Sequence, residues 1–370
     1  MNQGAMVSKD VYYEIKYDDT RKEIFQPVKL MNKSYNFFLD TGAPLSISKE
    51  IQESKKYPIL HIVPLKDAED NSDTIKIVLI DTLSFGNIVF QNIPALVLDF
   101  KNSPIGCQNI DGIIGSNVVR FLALQFDVLA KKIIFTDQKN KIKISKSSKS
   151  IPITLDNQSN AFIPISFKGG YIDTAHFDSG MGKLYDMNFA IAKENIEVKR
   201  IKPNSIYKGF GSTGQGLLGS GKPTEAYMIF ADIFFGEITI KNSRISTTST
   251  VSRFGRDLFN YGILTVDYIN KELNFEPYEK RINKVKHNFG VDFLIEDNAV
   301  KVSIVWGNTK AQKRGISENT NIIKINGYSF DNKNSCEIED ILFKELAKER
   351  IKITYLINGK KRNISLTKID

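Results

Sequence analysis

Phe37-Phe38-Leu39-Asp40-Thr41-Gly42-Ala43 and Ala175-His176-Phe177-Asp178-Ser179-Gly180-Met181 are two versions of one phrase: an apolar-rich approach, an aspartate, a small hydroxyl residue and a glycine. The aspartates stand 138 positions apart. Phe85-Gly86-Asn87-Ile88 matches Phe235-Gly236-Glu237-Ile238 at offset 150. Ile114-Gly115 is followed by Asp127 and Phe135, and Phe254-Gly255 by Asp267 and Phe275 at the same intervals, with offset 140. Four landmarks in one order at nearly constant offset describe a duplicated unit of about 140 residues. The shift in offset assigns roughly twelve extra residues to the second copy, before Phe235.

Around these landmarks the first 280 residues are rich in short β-branched and aromatic runs, such as Tyr35 to Leu39, Thr74 to Ile80 and Glu237 to Ile240, broken by Gly, Asn and Pro. That pattern predicts strands, so the fold class is mainly β with two pseudo-symmetric lobes. Ser145 to Ser150, Ser-Lys-Ser-Ser-Lys-Ser, reads as the linker between them. Beyond about residue 280 the character changes. A helix is predicted over Cys336 to Lys348, where Ile338, Ile341, Leu342 and Leu346 recur at helical spacing. The expected units are 1–149, 150–280 and a C-terminal α+β unit over 281–370.

Composition narrows the function. The 370 residues are 41% hydrophobic and 25% charged, which excludes a disordered, collagen-like or coiled-coil chain. The net charge of +9 is spread rather than clustered, and no nucleic-acid motif accompanies it, so no nucleic-acid partner is expected. No run approaches the roughly 20 apolar residues of a membrane-spanning helix. The N-terminus shows no signal peptide, although the second Met after Gly4-Ala5 reads as the joint of an added leader. Two cysteines, Cys107 and Cys336, and three histidines, none in a ligand spacing, argue against a metal site and against a disulfide scaffold; no cofactor is expected.

A single Asp-Thr-Gly is usually a turn. Two copies in matching lobes can bring two carboxylates together, and two adjacent carboxylates cannot both ionise readily. One proton is then shared. The ionised partner can take a proton from water while the protonated one donates to a carbonyl oxygen. Glycine lets the backbone turn beside each aspartate.

Leu39-Asp40-Thr41-Gly42-Ala43-Pro44 with Asp111-Gly112-Ile113-Ile114-Gly115 resembles the Asp loop and following apolar-apolar-Gly motif of retropepsin- and pepsin-like aspartic proteases. The likeness spans about residues 10 to 278, both lobes in one chain. It implies a catalytic dyad of Asp40 and Asp178, interlobe hydroxyls at Thr41 and Ser179, and turn glycines at Gly42 and Gly180. The second lobe departs from the pattern with Arg253-Phe254-Gly255. Ala43 and Met181 replace the hydroxyl residue that pepsin-like enzymes carry there. Fewer hydrogen bonds to the ionised carboxylate raise its pKa, which predicts an optimum nearer neutral than pepsin's. The resemblance also implies a bacterial protein in the periplasm or cell envelope, its export signal or lipid anchor removed, acting on peptide or protein substrates. A catalytically inactive two-lobed peptide-binding protein is the alternative.

Other motifs mislead. Residues 209–221 hold six glycines, and Gly209 to Gly214 fits GxGxxG, but no βαβ pattern surrounds it. Pro223 stands where a phosphate-binding loop needs Ser or Thr. A hairpin over a cleft explains these glycines better, with Lys66 to Ser72 as its counterpart in the first lobe. Phe177 to Gly182 is similar to a serine-protease loop, yet no histidine stands in a fitting context. His176 is read as a strand residue facing away from the dyad and His287 as part of a linker.

Phe289 to Phe293, Gly315-Ile316 and Ile323-Lys324-Ile325-Asn326-Gly327 resemble a PDZ domain of the circularly permuted bacterial type. Such domains add a peptide strand to a sheet edge and take its terminal carboxylate on backbone donors. Phe289, Gly290, Val291, Asp292 and Phe293 would form that loop. Residues 281–370 carry 17 Lys/Arg against 11 Asp/Glu, which suits an anionic C-terminal peptide ligand. A unit that only buttresses the lobes is the alternative reading.

Overall fold

A computed structural model describes residues 1–16, 24–145, 148, 150–279, 282–283 and 288–369. Part of the Ser145–Ser150 segment, the boundary at 280/281 and His287 lie outside the described residues.

The chain is mainly β, as its residue pattern predicts. In the first lobe eight strands run in the order Ala5–Met6, Ile88–Leu98, Ser46–Ser48, Gly112–Ile114, Lys33–Leu39, Phe25–Leu30, Ser72–Phe85 and Ile59–Lys66. Pairing of Ser72–Phe85 with Ile88–Leu98 closes them on themselves. The second lobe repeats the plan, with Ala161–Phe167 alternating buried and half-buried positions as a one-faced strand must. Each repeated Phe-Gly-X-Ile is a hairpin turn in which Gly86 (φ 54°) or Gly236 (φ 59°) takes the left-handed conformation. The repeated phenylalanines meet inside each lobe, Phe85 edge-on to Phe135 and Phe235 edge-on to Phe275.

A third sheet joins the lobes. Its order is Ser150–Pro152, Glu272–Pro277, Gly262–Asp267, Ala123–Asp127, Lys132–Thr136 and Tyr12–Lys16. At its centre Ala123–Asp127 lies antiparallel to Gly262–Asp267, Gln125 opposite Thr265, and the Gln125 amide donates to the Thr265 hydroxyl at 2.9 Å. Strands of equal rank in the two repeats therefore face each other across the pseudo-twofold axis. The repeated aspartates cap matching turns: Asp127 accepts from Ala130 N and Asp267 from Asn270 N.

The C-terminal unit is built onto the second lobe, since Ala299–Trp306 pairs antiparallel with Ser205–Gly211 and extends that sheet. It contains the strand pairs Val291–Glu296/Ala299–Trp306 and Arg350–Ile357/Lys360–Thr367, and a helix over Ser335–Leu346. The helix opens on a capping box, Asn334 with Glu337, and buries Ile338 and Leu342.

Cys107 and Cys336 form a disulfide, contrary to the expectation from sequence. It ties the loop after Ile88–Leu98 to the C-terminal helix. The separation of 229 residues hid the pair, because spacing carries no signal when only tertiary folding brings two thiols together.

Candidate active site

Each Asp loop leaves a central strand and is held from behind by a short parallel neighbour. In the first lobe Phe37–Leu39 pairs with Gly112–Ile114; in the second His176–Asp178 pairs with Arg253–Gly255. The two loops then grip each other reciprocally. Thr41 N donates to Ser179 Oγ at 3.0 Å, and Ser179 N donates to Thr41 Oγ1 at 3.0 Å. Each hydroxyl passes its own proton onward, Thr41 Oγ1 to Phe177 O and Ser179 Oγ to Leu39 O, both at 3.1 Å. Both side chains are fully buried, so all four bonds lie in a dry interface.

This grip brings Asp40 and Asp178 side by side, within mutual hydrogen-bonding reach. Gly42 N donates to Asp40 Oδ1 at 2.9 Å and Met181 N to Asp178 Oδ1 at 3.0 Å. The glycines serve a purpose other than the one expected. Neither Gly42 nor Gly180 has a positive φ. A Cβ on Gly42 would stand 2.6 Å from Asp178 Cγ, and one on Gly180 2.6 Å from Asp40 Cγ. Each glycine leaves room for the carboxyl group of the other lobe.

Burial, and next the charge of Asp178, push the Asp40 carboxyl up to about 8, against the pull of the Gly42 N–H and of Arg256. Nothing in the sequence pattern marks Arg256. Its guanidinium donates to Gly180 O at 2.7 Å and steadies the second loop. His176 is buried against the Phe162 ring, and burial holds its pKa below the usual value. It lines no part of the cleft. Both hydrogen-bonding functions of the Ser179 hydroxyl are committed to the grip, which leaves no serine nucleophile there.

The cleft above the dyad has a volume of about 540 Å³. Its roof is the tip of the hairpin Ile59–Lys66/Ser72–Phe85, which meets the glycine-rich segment of the second lobe. Leu218 N donates to Asp67 Oδ2 at 2.8 Å, and the Asn71 amide reaches Gly219 O and Ser220 O. Both stretches expected over the cleft are thus there, and the glycines again make room: a Cβ on Gly214 would stand 2.5 Å from Glu69 Oε1. The unexpected Arg253 explains the closure. It is buried, 3.2 Å from Glu69 on the hairpin tip and 3.8 Å from Asp186. Sequence gave no signal for this latch, since its members are 184 and 67 positions apart.

Of the five residues expected to bind a peptide carboxylate, two have their polar groups engaged within the C-terminal unit. Phe289 and Val291 are buried in the C-terminal core. Gly290 N is taken by Asn288 Oδ1 at 2.6 Å, and Asp292 accepts from Trp306 Nε1 and Asn288 Nδ2. Phe293 alone faces the groove between Val291–Glu296 and the helix. Leu342, Phe343 and Leu346, on that helix, line its other wall.

The fold that holds the first Asp loop is aspartic-protease-like: residues 26–118 match the family model described as aspartyl protease. No curated protein matches the chain. Among solved structures it is similar to basic 7S globulin from soybean, at 12% identity and TM-score 0.44, over 72% of this chain and 95% of that one. It is also similar to a retropepsin-like aspartic protease from Rickettsia conorii, at 16% identity and TM-score 0.26, over 34% of this chain and 98% of that one.

Proposed function

We propose that the protein is an aspartic endopeptidase in which Asp40 and Asp178 activate water against a peptide bond, with Thr41, Ser179, Gly42 and Gly180 holding the pair. The reciprocal Thr41–Ser179 grip carries this reading, because it fixes two carboxyl groups at one point of a cleft. The ionised carboxylate takes a proton from water as its oxygen bonds to the substrate carbonyl carbon. The protonated carboxyl donates to the carbonyl oxygen. Transfer of the proton taken from water to the amide nitrogen then breaks the C–N bond, while a hydroxyl of the tetrahedral intermediate returns its proton to the other carboxylate, leaving one proton on the dyad as at the start. No step requires a metal or a covalent enzyme adduct.

The division into lobes at 1–149 and 150–280 and a PDZ-like unit at 281–370 belongs to the same proposal. The order of strands and helix in the C-terminal unit, with the outer edge of Val291–Glu296 open among the described residues, supports the last assignment. A periplasmic or cell-envelope location is supported by the Cys107–Cys336 disulfide, since such bonds persist in oxidising compartments. The second reading, a silent two-lobed peptide binder, is favoured by the closed roof, latched through Glu69 and Arg253. A peptide library incubated with wild type, Asp40→Asn and Asp178→Ala decides between them. Cleavage by wild type alone, blocked by a statine-type inhibitor, supports the hydrolase; binding without cleavage supports the silent receptor.

A further inference from the structure

The hairpin tip that roofs the cleft does more than rest on the second lobe, because Glu69 is inserted into that lobe. Gly214 and Gly221 flank its carboxyl group: a Cβ on Gly214 would stand 2.5 Å from Oε1, and one on Gly221 2.6 Å from Oε2. Gly221 N donates to Gly214 O at 3.1 Å, so the two glycines hold each other as walls of a slot. Against the carboxyl group lies Arg253, whose Nη2 is 3.2 Å from Glu69 Oε1. The second lobe thus carries a site shaped for a carboxylate, and the first lobe fills it.

The fit is incomplete. Glu69 accepts from Nη2, one of the two parallel donors on that edge of the guanidinium, while Nε is buried with no hydrogen-bond partner among the described residues. A buried donor left over is costly, and a carboxylate that takes Nε and Nη2 together makes the stronger, forked pair. Asp186 stands 3.8 Å from Nη2 and is engaged by Lys183 at 3.1 Å. Burial outweighs the attraction of Arg253 at Glu69 and holds its pKa above the ordinary value. The latch is the weaker form of a pairing that the slot can make.

Position makes the slot part of the substrate path. Arg253, Lys183, Asp186 and Glu69 all line the cleft that holds the dyad. Arg253 lies opposite His176, two residues before Asp178, as Ile113 lies opposite Phe38, two residues before Asp40. Ile113 lines the cleft together with Phe38, Leu96 and Leu98, an apolar wall. A chain laid across the dyad therefore meets an apolar subsite on one side of the pseudo-twofold axis and a cationic one on the other.

We propose that Arg253 and its glycine slot form a specificity subsite for an acidic side chain of the substrate, and that Glu69 is the internal stand-in for that side chain. This rests on the hydrolase reading of the dyad and adds its substrate class: chains with an apolar residue on one side of the cleaved bond and Asp or Glu on the other. Lifting the roof with nothing in return leaves Arg253 without Glu69, the costly way to break a buried pair. A substrate carboxylate entering from the cleft replaces one anion by another. The buried charge is then unchanged, Nε gains an acceptor, and Glu69 passes to solvent. Acidic substrates open a roof that hinders neutral ones.

Fluorescein-labelled octapeptides with an apolar frame and a single Glu, or a single Gln, at each position in turn provide the test. Cleavage by wild type is followed by mass spectrometry, and binding to Asp40→Asn protein by fluorescence anisotropy. At one position relative to the cut, Glu should outperform Gln at least tenfold in kcat/KM and in affinity. That preference should vanish in Arg253→Met/Glu69→Gln, which leaves neither member of the pair alone, while Gln peptides still bind. Glu69→Gln by itself empties the slot of its competitor, so KM should fall several-fold for Glu and Gln peptides alike with their ratio kept. Equal treatment of Glu and Gln at every position, a preference that persists without Arg253, or an unchanged KM in Glu69→Gln overturns the proposal. If no peptide is cleaved while Asp40→Asn protein still favours Glu tenfold through Arg253, the hydrolase reading fails and the acidic slot stands. Cleavage with no acidic preference keeps the hydrolase and removes the slot.

Discussion

Behind the first Asp loop runs Gly112–Ile114, a strand whose side chains all lie in apolar surroundings. Behind the second runs Arg253–Gly255 in the same parallel register, with a buried guanidinium where the first lobe has Ile113. The charge is tolerated because its partners come from elsewhere, Glu69 from the opposite lobe and Asp186 from the adjacent strand. One lobe thus supplies a dry scaffold. The other converts the same position into a latch for its partner's hairpin. The grip between the loops stays symmetric while the supports around it diverge.

The widest break in this comparison would be a dyad in which one carboxyl suffices. Asp40→Asn and Asp178→Asn should each lower kcat by about 10³-fold or more, measured with a peptide substrate, because each lobe provides half of one acid–base device. Similar losses from both sides preserve the symmetry; retention of activity in either variant breaks it.

The latch should come next. Arg253→Met leaves Glu69 buried without its ion-pair partner, while Asp186 keeps Lys183 at 3.1 Å, at a cost of about 3–5 kcal/mol in urea unfolding. The double variant Arg253→Met/Glu69→Gln should recover part of that loss and leave the hairpin tip more open to proteolysis. Ile113→Val, its counterpart in the first lobe, should cost only about 0.5–1.5 kcal/mol.

The grip tests the symmetric element directly. Thr41→Val and Ser179→Ala each remove one hydroxyl that both accepts and donates across the interface, leaving a buried N–H without an acceptor. Each should cost about 1–3 kcal/mol, and the double variant less than the sum.

The duplication and the grip residues were legible in the sequence because they sit in short motifs repeated at fixed offset. The strands and the helix near Cys336 were legible from periodicity. The helices Lys49–Lys55 and Phe189–Glu197 were not, being too short for an apolar stripe to register, although Ser48 and Asn188 cap them at the same 140-residue offset. Arg253 stands out in the sequence only as a departure from the pattern. Its meaning required Glu69 to be brought to it by folding, and the same holds for Arg244 with Asp292 and for Cys107 with Cys336. At the stretch Phe289 to Phe293, expected to hold a carboxylate, the Gly290 donor and the Asp292 carboxylate are engaged within the unit itself, which the sequence does not signal.

The smallest effect concerns pH. Asp40, raised from the ordinary 3.8 to about 8 by burial and by Asp178, keeps its proton through neutrality and loses it as pH rises through about 8. Its contribution to stability has the same sign, fully present below about 3.8 and lost as pH rises through about 8. Ala43→Ser would restore a hydroxyl next to the loop and favour the ionised form. It should move the alkaline limb of activity down by up to about one pH unit, the worth of one hydrogen bond.

A pH–rate profile of kcat/KM for peptide cleavage addresses the shared proton most directly. A bell whose alkaline limb falls near pH 8, and whose activity disappears in Asp40→Asn, is the expected result. A profile that peaks below about pH 3, or one that persists unchanged in Asp40→Asn, contradicts a water-activating pair of carboxyls held between the lobes.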